Sequence, residues 1–128
     1  MSDESVPATA NRWASLGTSC AMVSAMMTLY AADYIFLRMV NFEAVFKSVK
    51  VNVPVSFDLM NRYGPYLCCA VAVCVVVSFH QALRHGGSRR ALGINVTVAV
   101  VALCLAFLAR EAVWQPFMSM FQGIGAEK

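Results

Sequence analysis

Three stretches of the chain, residues 13–32, 63–79 and 91–109, carry no charge. A helix needs about 20 apolar residues to cross the ~30 Å hydrocarbon core of a bilayer. Each stretch reaches that length, or approaches it once its uncharged or interfacial flanks are added. The first is the least apolar, diluted by Ser15, Thr18, Ser19, Ser24 and Thr28. A soluble helical bundle would need a polar face on every helix, and the second and third stretches have almost none. The pattern predicts an all-α integral membrane protein of three helices, with spans at about residues 13–35, 63–83 and 91–110. A polar tail, residues 1–12, precedes a single membrane domain covering residues 13–128, whose end, residues 111–128, reads as an amphipathic tail.

Between the first two spans, residues 39–62 follow a different rhythm. Phe42, Phe46, Val49 and Val53 recur at the i, i+4, i+7, i+11 spacing of one helical face. Glu43, Lys47 and Lys50 take the other side, with Glu43 and Lys47 as an i, i+4 pair. Pro54 ends or kinks this helix and pushes Val53 out of the helical region. Ser56 is placed to cap a second short helix over residues 57–63, on which Phe57, Met60 and Tyr63 share a face. Gly64-Pro65 should break that helix before the next span. The expected element is an amphipathic helix–kink–helix folded over the outer membrane surface, its apolar faces on lipid, on the bundle or on a partner.

Within the spans, small residues recur every four positions: Gly17, Ala21 and Ala25 in the first; Ala70, Cys74 and Ser78 in the second; Ala102 and Ala106 in the third. Such tracks let helix backbones approach in lipid, where packing drives association. Gly17, Ala21 and Ala25, with Phe42, Phe46, Pro54, Pro116 and Phe121, are therefore the candidate interaction residues.

Composition narrows the chemistry. The chain of 128 residues is 59% hydrophobic and 13% charged, where soluble domains hold about a quarter charged residues. Its net charge of +3 is spread over the loops, with no basic block to neutralise several phosphates, so nucleic acid is not an expected partner. The start of the chain is acidic at Asp3 and Glu4 and lacks the basic opening of a secretory signal, so the first run reads as a retained anchor. Cys20, Cys68, Cys69, Cys74 and Cys104 all lie in apolar runs and read as packing residues. His80 and His85, five apart, do not share a helix face. Asp33, His80, Arg110 and Glu111 sit at span ends, and Asn95 is the only amide within a span. The chain shows no catalytic constellation, metal set, cofactor motif or small-molecule site. The expected partners are the bilayer, other membrane proteins and further copies of the chain.

The hairpin at residues 84–90 holds Arg84, Arg89 and Arg90 around Gly86 and Gly87. This dense cluster predicts a cytoplasmic hairpin, a cytoplasmic N-terminus and an external C-terminus. A bare count of basic residues, four at that end against six at the other, points the opposite way.

Phe42, Phe46, Val53 and Pro54 stand at the spacing found after the first membrane helix of the inner-membrane platform proteins of type II secretion and type IV pilus machines, which this stretch resembles. In that family a short helix leads to a second span with a basic inner end, as residues 57–63 and Arg84 do. The tail after its third span is similar to residues 115–125, with Pro116, Phe121 and Gly125 in roughly matching places. The resemblance implies a bacterial inner-membrane location and a stripped membrane module. The family's two cytoplasmic helical domains are replaced by a tail of about a dozen residues and a ten-residue hairpin. The expected function is non-enzymatic assembly through partner membrane helices, and the resemblance implies a secretion or pilus-like apparatus as its setting. The alternatives are an accessory subunit of a membrane enzyme or transport complex, and a holin-like pore former, which the short, nearly neutral end "GAEK" disfavours.

Overall fold

A computed structural model describes residues 8–49, 52–85 and 88–125. The described chain is helical almost throughout. Helix α1 (Ala8–Ala32) passes through a π-helical stretch (Asp33–Arg38) into α2 (Met39–Val49), and α3 (Val55–His85) and α4 (Arg89–Gly125) follow. Three helices are long and apolar enough to cross a membrane: Asn11–Val49, Val55–His85 and Arg89–Gln122. The architecture is all-α and three-helical, and its length and composition are those of an integral membrane protein.

Contacts set the register. Gly17 of α1 meets Asn95 of α4, and Phe42 of α2 meets Phe117 of α4, so the first and last helices run parallel. Phe46 meets Phe57 and Glu43 meets Asn61, so α3 runs antiparallel to both.

The buried positions follow a repeat of seven. They are Gly17, Ala21, Ser24, Thr28, Ala31 and Ile35 on the first helix, and Gly64, Cys68, Val71, Val75, Ser78 and Ala82 on α3. On α4 the seam takes Ala91, Asn95, Ala102, Leu105, Ala109, Ala112 and Pro116, with half-buried Val98 completing the alternation and buried Ala106 and Val113 beside it. Spacings alternating between three and four keep one seam facing the partner helices, the pattern of knobs-into-holes packing. The four-residue tracks drift off this seam. Gly17, Ala21, Ala102 and Ala106 are buried, whereas Ala25 is only half-buried and Ala70 and Cys74 face outward. The cysteines divide in the same way. Cys68 packs inside and Cys20 is half-buried, but Cys69, Cys74 and Cys104 are exposed and are not core residues.

The π-helical stretch has a physical reason. Strict alternation beyond Ile35 would bring Arg38 and Val45 into the seam. The wide turn accommodates one extra residue, with the Met39 N–H bonding the Tyr34 carbonyl five residues back. Met39 and Phe46 then enter the interior, and Arg38 turns outward to Asp33 at 2.9 Å.

Three expectations about the chain beyond the spans are corrected. Residues 39–49 do not fold over the membrane surface; they continue the first helix outward as α2. The chain does break before Pro54, whose carbonyl accepts from the Phe57 and Asp58 N–H groups at the start of α3. Gly64-Pro65, however, lies inside α3 and ends nothing. Gly64 serves close approach, since a Cβ there would meet Met60 Sδ at 3.2 Å and Ile35 Cγ2 at 3.3 Å. Residues 111–125 are likewise no separate tail, because α4 runs through buried Pro116 to Gly125.

Charges bracket the apolar zone. Arg12, Arg84, Arg89 and Arg90 stand at the hairpin end, and Asp33, Arg62 and Arg110 stand at the other. The helical segments between them hold 19 to 21 residues, about 29–32 Å at the helical rise, which matches a hydrocarbon core. Beyond Asp33 the first helix runs on for about 24 Å, flanked by the start of α3 and the end of α4. The bundle thus carries a helical stub beyond this second set of charges.

Candidate interaction sites

Two structural centres lie along the seam. Near the hairpin end, Ser78 Oγ donates to Asn95 Oδ1 at 2.5 Å, and Asn95 Nδ2 donates to the Gly17 carbonyl at 3.4 Å. Ser78 and Asn95 are fully buried. This clasp joins one residue from each of the three spanning helices. Gly17 contributes through its lack of a side chain, as a Cβ would sit 3.2 Å from Asn95 Nδ2. The other buried hydroxyls of the first helix are satisfied locally: Ser24 donates to the Ala21 carbonyl and Thr28 to the Ser24 carbonyl, each at 2.7 Å. Among the described residues no buried side-chain polar atom lacks a partner.

The second centre is the aromatic core of the stub. Met39, Phe46, Phe57, Ala112 and Val113 form its buried cluster, with Phe42, Met60 and Met120 against it. Phe46 packs edge-on against Phe57 with centroids 5.3 Å apart, and Phe42 edge-on against Phe117 at 5.9 Å. Such edge-to-face pairs add about 0.5–1.5 kcal/mol each beyond their buried area. Around this core Glu43 accepts from Lys47 Nζ at 2.8 Å and from Asn61 Nδ2 at 3.2 Å. Chiefly through Lys47, and then through Asn61, these contacts hold the Glu43 carboxyl below its ordinary range.

The candidate residues therefore separate. Gly17, Ala21, Phe46 and Pro116 are buried, and Ala25, Phe42 and Pro54 are half-buried. The chain's own bundle occupies the buried ones. Phe121 is 59% exposed, packs edge-on against Phe117 and remains available to a partner. Sequence reasoning noted Asn95 and Ser78 separately but did not join them. The signal was present: both fall on the seven-residue repeat that also selects Gly17. Met39 was missed because the π-helical turn shifts the repeat by one residue, and Phe117, the partner of Phe42, because it comes from a distant segment of the chain.

Other side chains face outward. Within the spans Met26, Leu29, Val73, Val76, Val100 and Phe107 are exposed, as lipid contact requires. On the stub Val40, Val45, Val49, Val55, Leu59, Trp114, Met118 and Phe121 are exposed too. A groove of about 510 Å³ opens between α3 and α4 where the stub leaves the membrane zone, lined by Leu59, Met60, Tyr63, Leu108, Glu111 and Ala112 among others. No trio of His, Cys, Asp or Glu among the described residues is arranged to hold a metal ion. Comparison with protein-family models, with characterised proteins and with solved structures returns no match.

Proposed function

We propose that this chain is a non-enzymatic integral membrane assembly protein that packs against partner membrane helices. One observation carries the reading: the stub keeps an apolar exterior beyond the depth at which lipid would cover it. Val55 is 82% exposed and Phe121 59% exposed, about 10 Å beyond Arg62 along α3 and about 16 Å beyond Arg110 along α4. Soluble surfaces rarely leave contiguous apolar patches of this kind uncovered, and where they do the patch marks an interaction site. The resemblance of Phe42, Phe46, Val53 and Pro54 to the secretion and pilus platform proteins directs the proposal toward such an apparatus in a bacterial inner membrane. The resemblance lies in the membrane segments alone, so motor coupling is not carried over from it.

The orientation we propose places the hairpin in the cytoplasm. In its support, Arg12, Arg84, Arg89 and Arg90 gather at that end with no carboxylate among the described residues, while at the stub Arg38 and Lys47 are paired. An impermeant thiol reagent applied to intact cells should fail to label Ser88→Cys; labelling from outside reverses the orientation.

Co-purification in mild detergent tests the function. A stable set of secretion or pilin-like proteins, lost from a Trp114→Glu/Phe121→Glu variant that remains in the membrane, is the expected result. A redox or transport enzyme in its place establishes the accessory-subunit reading, for which the same exposed stub is the support. Lysis on expression alone establishes a pore former, and absence of any partner overturns the proposal.

A further inference from the structure

The α3–α4 groove contains an unmatched acid. Asp33 pairs with Arg38, and Glu43 pairs with Lys47. Half-buried Glu111, on the wall of the groove, has no cation within 4 Å among the described residues. On the outer rim of α3, exposed Arg62 is likewise unpaired, although Asp58 lies one turn away on the same helix. These two charges stand at one depth. Ser78 bonds Asn95 across α3 and α4, and sixteen residues toward the stub along each of these antiparallel helices lie Arg62 and Glu111. Within one copy the two are not in ion-pair contact.

Two molecules inserted in the same direction keep every residue at its own depth when related by a two-fold axis along the bilayer normal. Arg62 of each copy is then at the right depth to meet Glu111 of the other, and such a contact would be made twice, as an isologous interface requires. We propose that the α3–α4 groove is a self-association face, closed by a second copy of this chain, with Leu59 and Tyr63 of α3 entering the partner's groove and reciprocal Arg62–Glu111 pairs at its rim. Charge complementarity selects this occupant over lipid. An acyl chain covers the Leu108 side, inside the membrane zone, but cannot cover Leu59 and Met60 on the stub, whereas a second copy extends to the same height. The inference rests on the assembly reading and names one partner for it.

The test uses the full chain in nanodiscs and mild detergent. Light scattering should give twice the 14.0 kDa of one chain. Glu111→Arg and Arg62→Glu should each weaken dimerisation about tenfold or more, and the double charge swap should restore it, with helical content by circular dichroism unchanged throughout. In a chain whose native cysteines are replaced, Tyr63→Cys should form a disulfide-linked dimer under mild oxidation. Leu29→Cys, which is exposed on α1, should not. A monomer at all concentrations, a charge swap that fails to restore association in a folded chain, or equal cross-linking at both positions overturns the proposal. A monomer that still co-purifies with secretion proteins rejects the dimer alone. A dimer with no other partner supports it while rejecting the wider functional reading.

Discussion

The clasp of Ser78 with Asn95 yields a sharp energetic expectation. Ser78 and Ser24 are equally buried, each at 0% exposure. They differ in partner: Ser24 bonds its own helix, and Ser78 bonds Asn95 on another. Ser78→Ala leaves Asn95 Oδ1 without a donor where no water reaches it, a loss worth about 1–3 kcal/mol in a dry protein interior. In a bilayer the unfolded helices also find polar partners, so interhelical hydrogen bonds average about 0.6 kcal/mol and reach about 1.7 kcal/mol. The expected cost of Ser78→Ala is therefore about 1 kcal/mol, and that of Ser24→Ala below about 0.5 kcal/mol. Asn95→Ala forfeits both clasp bonds and leaves a small void, for about 2 kcal/mol. In the double variant the orphaned Ser78 hydroxyl no longer exists, so the two losses should fall short of additivity by about 0.6–1.7 kcal/mol. Denaturant titration in bicelles, followed by circular dichroism, measures all four corners of this cycle. Additive effects, or Ser24→Ala as costly as Ser78→Ala, would refute the claim that the clasp couples the helices.

Three further outcomes follow from the stub. Phe46→Ala should destabilise it by about 3–4 kcal/mol, as a fully enclosed ring is lost, while exposed Phe121→Ala stays within about 0.5 kcal/mol; proteolysis beyond Arg38 reads the difference. Inserting one alanine after Leu37 exceeds what the π-helical turn absorbs and brings Arg38 and Val45 to the seam in place of Met39 and Phe46. Hydrogen exchange should then show lost protection over residues 42–49 with the spans unchanged, and retained protection would contradict the register argument. Glu43 stands outside the membrane zone, and its folded pKa lies below the ordinary value of 4.5. Its contribution is therefore complete above that value and disappears as the pH falls through the folded pKa. The stability gap between wild type and Glu43→Gln should close in acid; a gap independent of pH would remove Lys47 and Asn61 as its cause.

These expectations also divide what was legible in the residue pattern from what was not. Three uncharged runs of membrane length suffice to specify three apolar helices, because in lipid a single continuous apolar run can satisfy its own backbone only as a helix. The face shared by Phe42 and Phe46 was legible for a similar reason: local periodicity places side chains on one side of a helix before any partner is known. What faces them was not, since Phe57 and Phe117 come from distant segments that only folding brings together.

Gly64-Pro65 is the clearest failure of local reasoning. In an isolated helix the pair reads as a stop, but in the bundle Gly64 admits Ile35 at close range and the helix runs on through the proline. The helical class, the number of spans and their lengths were thus determined by sequence alone, through the cost of exposing polar backbone to hydrocarbon. Tertiary structure decided the seven-residue seam, the turn that admits one extra residue, and the partners of Asn95 and Phe46. Those choices depend on which surfaces meet, and no single helix carries that information.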